Sequence, residues 1–376
     1  MLSSHHSLFS PFHLAGKLAR NRLAAQPMEI NAAGPGGGVS ARVRERYRGL
    51  ARGDWGLVFL EAVSLGPDCV ARRHGLVLGK KTLRGFRALV ELFKTENPHA
   101  LFIVQLTHAG RLCLDESRRV KVYGDASGIR LLEEKEIEEL RDRFVGAAHC
   151  ASEAGADGVD IKACHGYLGG EFLRPRNTRR DGWGGSLENR ARLLLSVIRA
   201  VRKECPGLAV GTRVSLYEGV PGGCGTAGAD DAVEDLEDMM RALDLVRKAG
   251  AHYLNISAGI PSVTPLLTRP ARDNAFEAYH HFRYARAVKE RLTGPAVIGS
   301  AYSALQREGP QWAEGNVSRG HVDFSGFGRQ SLADPLFPLK LRDRPGDIHY
   351  CTLCSGCSRL LAAQKAVRCT VYEKKE

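Results

Sequence analysis

The sequence predicts an α/β chain folded as a closed (β/α)8 barrel, a TIM barrel, with a short cysteine-rich extension at its C-terminus. Three observations predict it. Strand-like apolar runs alternate with helix-length amphipathic segments almost from end to end, the pattern of a parallel sheet. Eight such strands can be placed along the 376 residues, which suits closure into a barrel. Reactive and polar residues collect at the C-terminal ends of these strands, where barrels carry their chemistry. A doubly wound open sheet is the structural alternative. Against it, no glycine-rich dinucleotide fingerprint follows the first strand. The barrel is expected over residues 1–340 and the extension over 341–376.

The elements follow in order. Arg22 to Met28 reads as the first strand and Arg42 to Ala51 as the first helix. Leu57 to Val63 is the second strand, followed by a helix from Leu83 to Lys94. Ala100 to Leu106 is the third strand. Glu133 to Ala154 is a long helix whose acidic first turn suits the helix dipole. Val159 to Ile161 is the fourth strand. Beyond a loop rich in Gly and Arg, apolar residues at Leu193, Leu194, Val197, Ile198 and Val201 mark a helix starting at Leu187. Leu208 to Val214 is the fifth strand, with a helix over Ala232 to Lys248. Tyr253 to Ile256 is the sixth, with a helix over Ala275 to Leu292. Val297 to Ile298 belongs to the seventh strand and Val322 to Phe324 to the eighth.

The candidate site residues all fall at strand ends. Gln26, Pro27, Met28 and Glu29 follow strand one, and Gln105 to Arg111 closes strand three. Lys162, Cys164, His165 and Tyr167 follow strand four, and Arg213 ends strand five. Gly299 and Ser300 follow strand seven, and Gly328 and Arg329 follow strand eight. The loops after strands seven and eight are where barrels commonly hold a phosphate. Gly299 and Gly328 permit close backbone approach, and Arg329 offers a fork for phosphate oxygens. Tyr167 is a neutral phenol with an ordinary pKa of about 10, suited to hold a proton until it is needed, or else a buried structural tyrosine. Arg213 is a cation at the mouth or a partner in an internal ion pair. Lys162 is an oxyanion donor, a cation for an acidic substrate, or a salt-bridged structural residue; Glu29, expected at the same mouth, is its candidate partner.

Composition bounds the function. The chain is 43% hydrophobic and 26% charged, an ordinary globular balance. No apolar run approaches the ~20 residues that span a bilayer, and the N-terminus lacks a charged start followed by an apolar core. A cytoplasmic protein without membrane association is expected. The net charge of +12 is spread along the chain. It serves solubility, or attraction to acidic ligands such as phosphates or a CoA thioester. No nucleic-acid recognition motif and no basic tract interleaved with aromatics is present. Four of the ten cysteines, Cys351, Cys354, Cys357 and Cys369, crowd the C-terminus. Four thiolates hold a [4Fe–4S] cluster or zinc.

The run HGYL, followed by FLRPRNTRRDGWGGSLENR, resembles the signature of the old yellow enzyme family. The resemblance extends from about Leu8 to Tyr372 and implies a (β/α)8 barrel carrying FMN. It implies that the loops with Gly299, Ser300, Gly328 and Arg329 take the FMN phosphate. Pro27, Met28, Glu29, Gln105 and Arg213 are implied to lie against the flavin. Tyr167 resembles the proton donor and His165 one of the two substrate donors, with Lys162 at the other's position. Lys162 departs from the family's usual His or Asn, and Glu29 departs from its usual Thr or Cys. The cysteines resemble those of the iron–sulfur branch, which includes 2,4-dienoyl-CoA reductase and trimethylamine dehydrogenase. The second and third cysteines have two residues between them here, where that branch usually has three. The activity implied is reduction of a carbon–carbon double bond conjugated to a carbonyl or thioester in a small molecule. NAD(P)H or a separate electron-donor protein would serve as reductant, and a homo-oligomer is expected. The alternatives are oxidation of an amine or other substrate by the same apparatus, and a non-catalytic flavin electron carrier.

Overall fold

The computed structural model describes residues 5–125 and 127–373. Eight parallel strands close into a barrel: β1 (Leu23–Ala25), β2 (Leu57–Ser64), β3 (Leu101–Thr107), β4 (Gly158–Ala163), β5 (Ala209–Ser215), β6 (Tyr253–Ser257), β7 (Ala296–Gly299) and β8 (Phe324–Phe327). Each pairs with the next in sequence, and β1 closes the circle by pairing with both β8 and β2. The long helices are α1 (Ala41–Arg52), α2 (Leu83–Glu96), α3 (Glu134–Glu153), α4 (Leu187–Glu204), α5 (Glu237–Lys248), α6 (Ala278–Arg291) and α7 (Gly309–Ser318). The fold class expected from the sequence is the one observed. Among the described residues, no helix is long and apolar enough to cross a membrane.

The strands sort their side chains with period two. Val58, Leu60, Val104, Leu106, Val159, Ile161, Val210 and Val297 join the apolar layer shared with the helices. Ala24, Phe59, Ile103, Ala209, Tyr253, Ile298 and Phe324 point inward and form a separate core inside the barrel. Tyr253 fills the centre, and its hydroxyl donates to the Val159 carbonyl at 2.9 Å. A Cβ on Gly211 would lie 2.5 Å from that ring, so the residue beside Tyr253 must be glycine. A hairpin of Phe12–Leu14 and Lys17–Ala19 adds Leu14 and Ala19 to this inner core. Leu57, Leu101, Ala209 and Ala296, each at a strand's start, belong to the same core, so the hairpin plugs the N-terminal end. Sequence reading misses the hairpin because three-residue strands carry too little periodicity to register.

Several boundaries move. Strand one, expected over Arg22 to Met28, ends at Ala25: Gln26 makes one last bond to Phe327, and Pro27 has no N–H to continue the ladder. Strand eight runs Phe324–Phe327, two residues later than expected. Just before it, Asp323 meets β7 through its side chain, which accepts from the Val297 amide and from Lys289 of α6. Residues 232–236 are not helical. Tyr217 donates to the Ala232 carbonyl, and Asp235 donates its amide to Gly225, so the segment is tied to the loop after β5.

The C-terminal segment lies across the barrel mouth. Cys351 donates its amide to Gln330, Val367 donates to Ile30, and the buried Val367 side chain joins the main core. A short helix, α8 (Gly356–Ala362), faces the opening with Cys357 and Leu361.

Candidate functional site

A cavity of about 360 Å³ opens at the C-terminal end of the barrel. Its floor is the last inward-facing position of several strands: Gln26, Gln105, Lys162, Arg213, Ser257 and Gly326. Gln26, Gln105 and Gly326 stand two residues beyond the apolar inner core and Arg213 and Ser257 four, on the same face of their strands, so polar side chains emerge there together. Pro27, Met28, Glu29, His165, Tyr167, Ser300, Gly328 and Arg329 complete the set that the sequence singles out, all lining this one space. Gly299 does not line it; the Gly299 carbonyl accepts from Gln26 at 3.2 Å just beneath. A Cβ on Gly326 would meet Gln26 Nε2 at 2.1 Å, so this floor is closed by backbone.

Glu29 is the hub of the site. Its Oε2 accepts from Arg72 Nε at 2.6 Å, and its Oε1 accepts from Tyr167 Oη at 2.8 Å and Lys162 Nζ at 3.3 Å. Lys162 Nζ also stands 3.3 Å from the centroid of the Tyr167 ring, a cation–π contact. The two departures from the expected pattern, Glu29 and Lys162, therefore form an ion pair with each other. Burial works to raise the Glu29 pKa, but Lys162, Arg72 and the hydrogen bonds from Arg72 and Tyr167 outweigh it and hold the carboxyl at about 2. Burial, then the Glu29 charge, pushes the Tyr167 phenol well above its ordinary value, so it stays protonated. Burial lowers the Lys162 pKa, and Glu29 works against that.

His165 has a left-handed backbone, φ 62°, held by a bond from its amide to Ser215 Oγ at 3.1 Å. Its Nε2 pairs with Ser257 Oγ at 2.8 Å. Burial, with Arg213 and Lys162 nearby, drives its pKa well below 6.5, so the imidazole is neutral. Beneath the floor, Asp160 is fully buried and accepts from Gln105 Nε2 at 2.9 Å; burial lifts its pKa to about 6.

Flavin mononucleotide, the group implied by the sequence, needs donors for a ring edge and for a phosphate. Among the described residues, two buried donor atoms of this cavity have no partner: Arg213 Nε and Arg329 Nη1. Arg213 donates to Gln26, Ser257 and Ser300, and Arg329 donates to the Pro270 carbonyl at 2.7 Å. A Cβ on Gly328 would reach Met28 Sδ at 3.0 Å, so bare backbone sits between Met28 and Arg329. Donors, space and backbone fit that group.

The cysteines fit their group less well. Cys357 lines the cavity wall, and Cys351 is near enough to Cys357 and Cys369 to feel their charge. Cys354 is exposed and contacts Thr370 Oγ1 at 3.7 Å. Among the described residues, no three His, Cys, Asp or Glu side chains are gathered as a metal ion requires.

Three residues of the site escape sequence reading. Arg72 stands in a run of surface charge after strand two, with nothing local to tie it to Glu29. Ser257, which holds both His165 and Arg213, is a lone serine at a strand end. Arg269 follows a single helical turn, Pro265–Thr268, in the loop after β6.

Comparison with known proteins adds to this geometry. The NADH:flavin oxidoreductase / NADH oxidase family model matches residues 7–345. An NADH oxidase of Thermoanaerobacter brockii is 33% identical over 97% of the chain and 56% of its own length. A dimethylamine dehydrogenase of Hyphomicrobium sp. is 28% identical over 93% of the chain and 47% of its own length. The chain thus spans about half the length of these curated relatives. A solved structure of a 2-naphthoyl-CoA reductase complex superposes with a TM-score of 0.84 at 24% identity, over 98% of this chain and 57% of that one.

Proposed function

Because the chain belongs to the NADH:flavin oxidoreductase / NADH oxidase family, we propose that it is an FMN-dependent oxidoreductase that reduces a carbon–carbon double bond conjugated to a carbonyl or thioester. The observation that carries this reading is Tyr167: a phenol kept neutral, fixed by Glu29, in the same cavity as the unpartnered donors of Arg213 and Arg329.

FMN, when bound, supplies hydride transfer to the β-carbon of such a substrate, with electrons drawn from NAD(P)H. The chain's own residues do the rest. Arg329 would hold the phosphate with the backbone around Gly328, and Arg213 would donate to the edge of the flavin ring. His165 and Lys162 donate to the substrate's carbonyl oxygen, where negative charge develops. Tyr167 gives its proton to the α-carbon. The phenolate left behind faces Lys162 and Arg72, whose charges offset the nearby Glu29 carboxylate until solvent restores the proton.

The four C-terminal thiols are the donor set that a [4Fe–4S] cluster takes, and the proposal extends to a cluster there, although the side chains stand open. Iron and labile-sulfide assays on anaerobically purified protein test it; a stoichiometric metal content without sulfide would make the site zinc. The main reading is tested by an anaerobic visible spectrum. Flavin bands bleached by NADH or NADPH and restored by a conjugated enone are expected. Absence of flavin after reconstitution would overturn the reading. Flavin that nicotinamide cannot bleach would transfer the reductant's role to another protein.

A further inference from the structure

The charge balance of the cavity is lopsided. Its walls carry five cationic side chains, Arg72, Lys162, Arg213, Arg269 and Arg329, and one carboxylate, Glu29. Glu29 answers for one charge between Arg72 and Lys162. A bound FMN answers for Arg329 through its phosphate and for Arg213 through its ring. That leaves Arg269. Its guanidinium is half-buried and anchored to its own loop, Nη2 donating to the Pro261 carbonyl at 3.0 Å. Among the described residues it has no carboxylate partner. Arg329, Cys357 and Arg72 line the same cavity near it, the two arginines repelling its charge and the Cys357 sulfur favouring it. A half-buried cation flanked by two others gains from an anion that joins it.

The same walls are poor for a positively charged ligand. Cations such as ammonium groups are taken by carboxylates or by aromatic cages. Here the one carboxylate is already used three times, and among the described residues Tyr167, His165 and His281 are the only aromatic rings on the wall. Both imidazoles are tied down, His165 to Ser257 and His281 to the Leu267 carbonyl.

We propose that the substrate carries a carboxylate or similar anionic group and that Arg269 is the residue that selects it, so that the site takes an anionic conjugated acyl compound and turns amines away. The inference rests on the reductase reading of the cavity, and it names the charge that the substrate must have. Arg269 acts on binding; it touches none of the reacting atoms in this scheme.

A matched pair tests it on the full chain loaded with FMN: 4-oxocyclohex-2-ene-1-carboxylate and its ethyl ester share one enone and differ by a charge. Histamine serves as the cationic probe. The first readout is the shift of the flavin absorption band on titration, before any NAD(P)H is added; the second is turnover. The acid is expected to bind at least about ten-fold more tightly than the ester, the size of one charge-assisted contact. Arg269→Gln is expected to bring the acid down to the ester's level while keeping its FMN, and Arg269→Lys to restore part of the preference. Equal binding of acid and ester, or stronger binding of histamine, would overturn the proposal. So would loss of FMN from Arg269→Gln, which would assign the residue to the cofactor phosphate, or a loss confined to NAD(P)H affinity. If the acid binds selectively but neither enone is reduced, the reductase reading fails and the charge selection stands.

Discussion

Tyr167 donates its phenolic proton to Glu29 at 2.8 Å, and a carboxylate is thus the resting partner of the group read as the proton donor. The pairing has two consequences that pull in opposite directions. It orients the hydroxyl and keeps it protonated. It also means that the proton leaves against a fixed negative charge, so the cations on Glu29, Arg72 at 2.6 Å and Lys162 at 3.3 Å, are needed to make the transfer feasible.

Tyr167→Phe removes the proton while keeping the ring that Lys162 stands over. Oxidation of the reduced enzyme by a conjugated enone should slow by about 100-fold or more, the usual worth of a positioned general acid. Reduction of the flavin by NAD(P)H should keep its rate. Stopped-flow measurement of the two half-reactions separates them, and equal slowing of both would remove Tyr167 from the proton-transfer step.

Glu29→Gln removes the charge and keeps the shape. Arg72 and Lys162 are then no longer offset, and a reduced, electron-rich flavin gains stabilisation. The midpoint potential should rise by on the order of 30 mV for each ten-fold change in the equilibrium. The Tyr167 phenol loses a negative neighbour, so the alkaline limb of the pH–rate profile should move to lower pH. Dye-coupled potentiometry and the profile check this; a potential and limb that both stay put would make Glu29 a purely structural residue.

Much of this site is legible in the sequence alone. Tyr167, His165, Arg213 and Arg329 fall at strand ends in a pattern that one sequence can show. Its partnerships are less so. The Glu29–Lys162 contact joins residues 133 apart, and Arg72 reaches Glu29 across 43 residues. Nothing local encodes such distances; they exist only because closing a barrel brings strand ends to one rim. Element boundaries shift for a related reason. Asp323 reaches Val297 in β7 and Tyr217 reaches the Ala232 carbonyl, contacts between distant segments that override the apolar pattern.

Glu61 provides a pH test of the fold behind Glu29. It is buried, its Oε2 accepts from the Ile30 amide at 2.8 Å, and among the described residues its Oε1 has no partner. Burial, with Glu29 adding to it, raises its pKa from 4.5 to about 8. Below pH 4.5 both folded and unfolded chains carry the proton. Between pH 4.5 and about 8 only the folded chain keeps it, so stability falls as pH rises. Glu61→Gln, which cannot ionise, should therefore match the wild type near pH 4.5 and exceed it by on the order of a few kcal/mol at pH 9. Thermal unfolding of both proteins across this range measures the difference; a gap that does not widen with pH would mean that Glu61 is ionised in the folded state.

The motif that carries the family resemblance is mostly scaffolding, and this gives the last prediction. Arg174 forks onto Glu218, Nε to Oε2 at 2.7 Å and Nη2 to Oε1 at 3.2 Å, and its Nη1 donates to Tyr123 at 3.0 Å. Asn177 donates to the Phe172 and Trp183 carbonyls, and Arg190 to the Leu173 carbonyl and Asp238. Together they pin the long loop between β4 and α4, whose first residues include His165 and Tyr167. Glu218 is fully buried, so Arg174→Met would strand a charge without its partner. The cost should be about 3–5 kcal/mol in equilibrium unfolding. The double variant Arg174→Met, Glu218→Gln should recover a large part of it, because no bare charge remains. Equal losses in the single and double variants would mean that packing of the arginine, rather than the charge, secures the loop that presents Tyr167.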